Sequence, residues 1–345
     1  VVGRREDAAA SVGAGANPVV NPAVRQFFAA ATHPIIGIAG TVGKRTIAEM
    51  LKLMKLGDYV IYPMQARDLR GLDMSPQVAV LNTIDIENPV EYGEFKDYYN
   101  VLENVTHWQR ENDLTVYDAR DEECFRMAAE SKGRKVAVPN NDGLHLEFTG
   151  DSITEEKKIW LVDDMEKLAE VTDLRLYPHE WHNALMALGV ARALGMDMEK
   201  AVESLREYKR LPEHLQLVRT VDDEDFYNDA ASVVPMATMA ALRAIMKPKI
   251  LLVGGQEVGL DYTLLASKCQ ELGVKRVMLL GETAKRLQQE FLVARFPNVE
   301  NLATSTVGDV VRAMTIYAET GDAVILSPGA PNSWGGEFTE AVNSL

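Results

Sequence analysis

An apolar run, Ile35-Ile-Gly-Ile38, passes through Ala39 into Gly40-Thr-Val-Gly-Lys-Arg-Thr46 and then into a stretch of helical spacing that ends near residue 56. Few backbone paths suit that order. A buried strand must end in a turn whose glycines reach conformations closed to other residues, and a helix must start at once. The helix start offers free N–H groups and the positive end of its dipole, with Lys44 beside them, so the turn can hold a polyphosphate. The pattern G-x-x-x-x-G-K-[ST] is only partly met, because Ile38 stands at the first glycine position and Arg45 follows Lys44. A guanidinium has no lone pair for a cation, which leaves Thr46 as the nearby hydroxyl for Mg²⁺. Two readings stay open: a phosphate cradle, or a purely structural strand-to-helix turn.

The alternation continues along the chain. Short buried strands are expected over 59–62, 78–81, 114–117 and 135–138, with helical spacing at Phe95, Tyr98, Tyr99, Leu102 and Val105 and again over 121–131. After Pro139-Asn-Asn-Asp-Gly143, a strong turn signal, antiparallel strands follow over 144–148 and 158–162, with a further candidate at 174–176. Residues 182–194 and 198–207 read as a helical pair. The charge-dense Val221-Asp-Asp-Glu-Asp-Phe226 reads as a boundary. Beyond it, strands at 250–253, 276–280 and 323–326 alternate with helices at 236–245, 262–272, 284–291, 307–318 and from Glu337. Helical crossovers of this kind make parallel sheets. The expected fold is α/β: an arm or remnant over 1–33, a parallel-sheet domain over 34–217, and a smaller parallel α/β domain over 218–345.

Charge narrows the partners. The 51 acidic and 36 basic side chains leave a net charge of -15, so nucleic acid is not an expected partner. Cys124 and Cys269 are the only cysteines and are far apart, which excludes a disulfide framework and fits a reducing cytoplasm. No apolar run approaches the roughly 20 residues that span a bilayer, so membrane insertion is not expected.

Other residues could carry chemistry. Asp85, Glu87 and Glu91 follow a strand end and read either as a divalent-ion site or as a solvated acidic surface. His179 and His182 flank Trp181 at i,i+3 spacing, with local capping of a helix from Asn183 as the alternative to a metal site. His214 reads as linker or cleft. Gly254-Gly255, Gly281 and Ser327-Pro-Gly-Ala-Pro331 all follow strands and share one rim with Asn228 and Asp229; they serve a ligand or make tight turns.

These phrases stand in an order that resembles the Mur ligases. It is carried by Gly37–Thr46, Trp181-His-Asn-Ala184 with Ala191–Gly195, Leu211-Pro-Glu-His214, Phe226-Tyr-Asn-Asp229, Val253-Gly-Gly255 with Gly259, Asp261 and Tyr262, and Leu326–Pro331. The resemblance implies an ATP-dependent carboxylate–amine ligase using Mg²⁺, related to D-glutamate addition in peptidoglycan precursor synthesis, with a small-molecule substrate. It implies catalytic roles for Lys44 and Asp229, and nucleotide contacts from Gly40, Thr41, Gly43, Lys44, Arg45, Thr46, Asn183, His214 and Asn228. It further implies substrate contacts from Ser327 and Phe338, and metal contacts from Thr46 and Glu87. The resemblance implies that 34–217 is a central P-loop-type, ATPase-like domain and 218–345 a smaller Rossmann-like one; the family's UDP-binding domain looks missing, with 17–24 as its last strand and exit.

Several charged positions of the family pattern are altered. Its metal-binding glutamate falls on Tyr62, its Asp-His pair on Ile86 and Glu87, and its modified lysine near Leu102 or Glu103. Its later motif asparagine is Met186, its ATP-contacting arginine His214, and its C-terminal lysines, threonine and asparagine are Ala231, Val258, Val233 and Val234. Turn-building residues survive where charge-handling ones are replaced. This supports an alternative expectation, a catalytically degenerate homologue that binds or scaffolds, or one whose missing elements come from a protein partner.

Overall fold

Unbroken apolar runs become central parallel strands. The computed structural model describes residues 21–140, 143–149 and 158–345. In chain order, the first elements are α1 (Pro22–Ala30), β1 (Ile35–Gly40), α2 (Lys44–Met54), β2 (Val60–Pro63), α3 (Ala66–Leu69), β3 (Val78–Asn82), α4 (Pro89–Tyr92), α5 (Phe95–Leu102) and α6 (Asn104–His107). They are followed by β4 (Leu114–Asp118), α7 (Glu122–Glu130), β5 (Arg134–Val138), β6 (His145–Thr149), β7 (Lys158–Asp163), β8 (Glu166–Glu170), α8 (Pro178–Ala193) and α9 (Met198–Leu205). The remainder comprises β9 (Gln216–Val221), β10 (Glu224–Asn228), α10 (Pro235–Ala244), β11 (Lys249–Gly255), α11 (Thr263–Lys268), β12 (Val274–Gly281), α12 (Ala284–Val293), β13 (Val299–Asn301), α13 (Val307–Tyr317), β14 (Ala323–Leu326) and α14 (Gly335–Asn343).

Contacts divide the chain into two units. The first takes residues up to Asp85 with Tyr92–Leu174 and Asn183–Glu207; the second takes Ile86–Glu91, Arg175–His182 and Tyr208–Leu345.

In the first unit a parallel sheet runs β2-β1-β3-β4-β5. The chain leaves β1 through α2 toward β2 and resumes on the other side at β3. The winding thus reverses between β1 and β3, and sheets of this order bind ligands at the carboxyl ends of the strands at such a switch point. All residues of β1 and β3 are buried, and α2, which packs against β1 and β2, buries Ile47, Met50, Leu51 and Met54. A separate antiparallel meander, β6-β7-β8, comes next in the chain.

In the second unit the sheet runs β13-β12-β11-β14-β10-β9, parallel except for β9. Phe226, Ile250, Leu252, Met278, Val324 and Leu326 pack with Val310 and Phe338 from its helices. No helix among the described residues is long and apolar enough to cross a membrane.

Some local expectations give way. Residues 174–176 form no strand; the third strand of the meander is β8, whose Glu-Lys-Leu-Ala-Glu sequence carries little apolar signal. The acidic break at Asp222 and Asp223 is the two-residue turn of the β9–β10 hairpin inside the second unit, with φ of 50° and 67°. That hairpin makes the second sheet mixed where parallel strands alone were expected. Helix α8 starts at Pro178, so His179 and His182 lie within its first turns and do not cap a helix from Asn183. Of 17–24, residues 17–20 lie outside the described residues, as does the 1–18 arm, and Pro22–Val24 open α1 where a strand was expected. Asn141 and Asp142 of the expected turn also lie outside them.

Candidate functional site

At the carboxyl ends of β1 and β3 the glycines do what their backbone freedom allows. Gly40 has φ of 133°, and a Cβ there would lie 1.7 Å from the carbonyl oxygen of Asn82; Gly43 has φ of 79°, and its Cβ would lie 2.3 Å from Asn183 Oδ1. Neither position tolerates a side chain without displacement. The loop is further held by Thr41, whose N–H donates to the Thr83 carbonyl at 2.8 Å and whose hydroxyl accepts from the Asp85 N–H at 2.8 Å and donates to the Asp85 carbonyl. Asn82, a residue that sequence reasoning passed over, donates from Nδ2 to the Val42 carbonyl at 2.8 Å and to Asn183 Oδ1 at 3.5 Å. Its signal was a polar residue closing an otherwise apolar strand.

Lys44 opens α2 and is buried, its ammonium folded onto the loop carbonyls of Gly40 and, at 3.2 Å, Thr41. Gly43 supplies no side-chain cap to the helix. Uncapped first-turn N–H groups, the dipole and a lysine on a glycine loop suit a phosphate. The fit for Mg²⁺ is different. Arg45 is exposed and carries only donors, while Thr46 is buried against the core side of α2. Glu87 is half-buried in a segment grouped with the second unit. No group of three or more His, Cys, Asp or Glu among the described residues is arranged to hold a metal ion. At the family's glutamate position, the Tyr62 hydroxyl donates to Asp68 at 3.2 Å, and burial with the Asp68 charge pushes its pKa to about 12. At the modified-lysine position Leu102 is buried, and burial together with a hydrogen bond to Glu130 pushes Glu103 up to about 7. The described residues therefore suit a phosphate group at the start of α2 and do not fit the Mg²⁺ donor set that the resemblance implies.

The second unit gathers His214, Asn228, Asp229, Ser327 and Phe338, but largely among the protein's own groups. Asp229 accepts from the Leu215 N–H at 2.9 Å and from the Ser327 hydroxyl at 2.6 Å. Burial pushes its carboxyl up to about 7 against the pull of those bonds and of Ser232. Ser327 is fully buried and also meets Thr238 at 3.1 Å. Asn228 donates to the Gly335 carbonyl at 2.8 Å and to Thr339 at 2.9 Å. Phe338, expected to contact substrate, has no exposed surface and is a core residue. His214 is half-buried in its own loop, with its Nδ1 2.7 Å from the Pro212 carbonyl.

The glycine rim of this unit is closed by backbone. Gly254 N–H donates to Pro328 O and Gln256 N–H to Pro331 O, both at 2.9 Å, and Thr283 N–H to Gly255 O at 3.2 Å. What approaches these glycines is the neighbouring loops. Sequence reasoning also missed the role of Glu180, buried in the first turn of α8. Arg210 donates to it at 2.8 and 2.9 Å while stacking 3.9 Å from the Tyr177 ring. Burial holds the neighbouring His179 below its usual pKa. These first-turn residues thus anchor a local ion pair in place of a histidine metal site.

No protein-family model matches the chain. It is 27% identical over 325 residues to the UDP-N-acetylmuramoylalanine--D-glutamate ligase of Bacillus thuringiensis (strain Al Hakam) and to that of Bacillus cereus (strain Q1), covering 91% of this chain and 69% of each relative. Among solved structures it is similar to MurF from Acinetobacter baumannii, with a TM-score of 0.70 at 13% identity over 92% of this chain and 78% of that one. It is similar also to the folylpolyglutamate synthase of Mycobacterium tuberculosis, solved with ADP and AMPPCP, with a TM-score of 0.68 at 12% identity over 94% and 93% of the two chains. At such identities the solved structures establish the fold alone.

Proposed function

Taking as premise that the chain is a relative of the Mur ligases, we infer that it binds an adenine nucleotide by its phosphates at the loop after β1 and has lost the family's Mg²⁺-assisted ligation. The observation that carries this is Lys44, placed at the uncapped start of α2 and resting on the carbonyls of its own glycine loop. An arriving phosphate offers the ammonium a full negative charge in place of two carbonyl dipoles, and charge-assisted bonds are the stronger ones. Gly40, Gly43 and the first-turn N–H groups shape the cradle; Asn82 and Asn183 keep the loop in place. Bound ATP would supply a transferable phosphoryl group.

Loss of ligation rests on the donor set. Arg45 offers no acceptor, Tyr62 is tied to Asp68, and Asp229 is buried on bonds within its own unit. The charge that builds up in phosphoryl transfer needs compensation that these groups do not provide. On this reading the protein binds or scaffolds, in the cytoplasm.

A second reading is an active acid–amino acid ligase with a D-glutamate-like amine, in which a partner chain supplies the missing charged groups. It is favoured by similarity that runs along 91% of the chain to relatives named as D-glutamate ligases. The test is ADP release from ATP in the presence of a carboxylate acceptor and D-glutamate, with Lys44→Ala as control. Release that requires D-glutamate and vanishes in the variant overturns the binding-protein reading. Silence with retained ADP binding supports it.

A further inference from the structure

The amino-terminal ends of β3, β4 and β5, at the opposite end of the sheet from the glycine loop, carry an exposed aromatic cluster built more firmly than a surface loop requires. Gln109 is buried and makes four hydrogen bonds. Its Nε2 donates to the carbonyls of Pro76 at 3.1 Å and Leu114 at 2.9 Å, and its Oε1 accepts from Thr115 at 2.5 Å and Ser131 at 2.7 Å. The next residue back, Trp108, is fixed at two points: its backbone N–H donates to Ser75 at 2.9 Å and its indole N–H to the Leu72 carbonyl at 3.0 Å. Its side chain is nonetheless 48% exposed, with His107 set edge-on against it at 4.8 Å.

These residues border a cleft of about 340 Å³ together with Arg110, Glu111 and Lys132. That volume suits one or two side chains. Arg110 and Lys132 are exposed, and neither pairs with a carboxylate among the described residues. Arg25, Arg126, Arg192 and Arg206 of the same unit all do. In a chain of net charge -15, the lining of this cleft carries two cations outside any ion pair against one acid, Glu111, while the Asp113 carboxylate accepts from the Arg110 backbone N–H at 2.7 Å.

We propose that this cleft docks an acidic segment of a partner protein, with one apolar side chain against Trp108 and flanking carboxylates on Arg110 and Lys132. A tryptophan already held by its own hydrogen bonds loses little freedom on binding, and Trp and Arg are the residue types that dominate contact energy in such patches. Glu111, the acidic member of the lining, favours a segment whose carboxylates fall on one side of the anchor. The net negative body disfavours nucleic acid and anionic lipid, which would contact a wider surface than the cleft.

The test uses the full chain and a blocked peptide, Asp-Glu-Leu-Phe-Glu-Asp, with Asn-Gln-Leu-Phe-Gln-Asn as the neutral control, titrated by calorimetry. The acidic peptide should bind about tenfold tighter than the control and weaken with salt. Arg110→Glu with Lys132→Glu, both exposed side chains, should cost about tenfold or more for the acidic peptide and create binding of Lys-Arg-Leu-Phe-Arg-Lys. Trp108→Phe should weaken the wild-type interaction while circular dichroism shows the fold kept. The proposal is overturned by equal affinity for the neutral peptide, by unchanged binding in the charge-reversed variant, by no binding of the acidic peptide, or by tighter binding of an oligouridylate or phosphatidylserine vesicle. ADP affinity is measured alongside, so that failure here is separable from failure at Lys44.

Discussion

The loops after β1 and β11 use one backbone device for different ends. In each, a glycine of positive φ brings the strand end against a neighbouring strand: a Cβ on Gly40 would lie 1.7 Å from Asn82 O, and one on Gly254 would lie 2.0 Å from Leu280 O. After β1 the chain turns into a helix of 11 residues with a lysine at its start and no side-chain cap. After β11 it runs through Gln256 and Glu257, bonds to the β14 loop, and reaches a helix only at Thr263. Glycine at a strand end therefore reports close backbone approach. Whether a ligand or another loop approaches depends on the next segment of chain, a helix start in one case and an extended loop in the other.

The comparison breaks first on the glycines themselves. Gly40→Ala and Gly254→Ala should each lower unfolding free energy by about 3 kcal/mol, since both place a Cβ into a carbonyl at positive φ. Urea denaturation that finds either one neutral would undo the shared device.

Lys44→Ala comes next and should separate the loops. It should weaken ADP binding by about 2 kcal/mol, roughly thirtyfold, by the usual worth of a hydrogen bond to a charged group. Gln256→Ala, at the matching place after β11, should leave ADP affinity unchanged in calorimetry. Equal losses from both variants would put the nucleotide somewhere other than the β1 loop.

A smaller effect concerns the ion. Adding Mg²⁺ should change wild-type ADP affinity by less than about 1.4 kcal/mol, a factor of ten, because Arg45 stands at the hydroxyl position. Arg45→Ser should raise that dependence. A wild-type gain above about 3 kcal/mol on adding the ion would contradict the reading of the donor set.

A further effect, on stability and not on binding, lies at Asp229. Burial raises its folded pKa to about 7, above the roughly 4 of an unfolded aspartate, so the folded chain keeps a proton that the unfolded chain releases in that window. The resulting stability is fully present below about pH 4 and is lost as pH rises through about 7. Asp229→Asn cannot ionise, so its melting temperature relative to wild type should be higher at pH 8 than at pH 5, by about 3 °C. The same offset at both pH values would show that the buried carboxyl does not titrate there.

Much of the architecture was legible because its signals are local. The apolar runs at Ile35–Ile38, the spacing of α2 and α10, and the strand-then-helix rhythm after residue 235 each reflect burial of one short segment. What misled were segments whose meaning depends on their neighbours. Asp222 and Asp223 look like a boundary by charge and are a hairpin turn by conformation; Glu166–Glu170 lacks an apolar pattern and is a strand because Lys158–Asp163 pairs with it. The glycine loop was recognisable as a candidate phosphate site, whereas its support from Asn82 and Asn183 was not, since those residues are 101 apart in sequence.

The sequence by itself determined the parallel α/β plan and the strand–glycine–helix turn at Lys44, because side-chain period and the conformational freedom of glycine act within a few residues. Only the tertiary structure decided which polar groups are spent on the protein itself. Asp229 meets Leu215 and Ser327, Phe338 closes a core, and Trp108 is pinned by Leu72 and Ser75. A carboxyl, a ring or an indole carries the same chemistry in any sequence; burial and partners brought in from distant parts of the chain set whether it is free to use it.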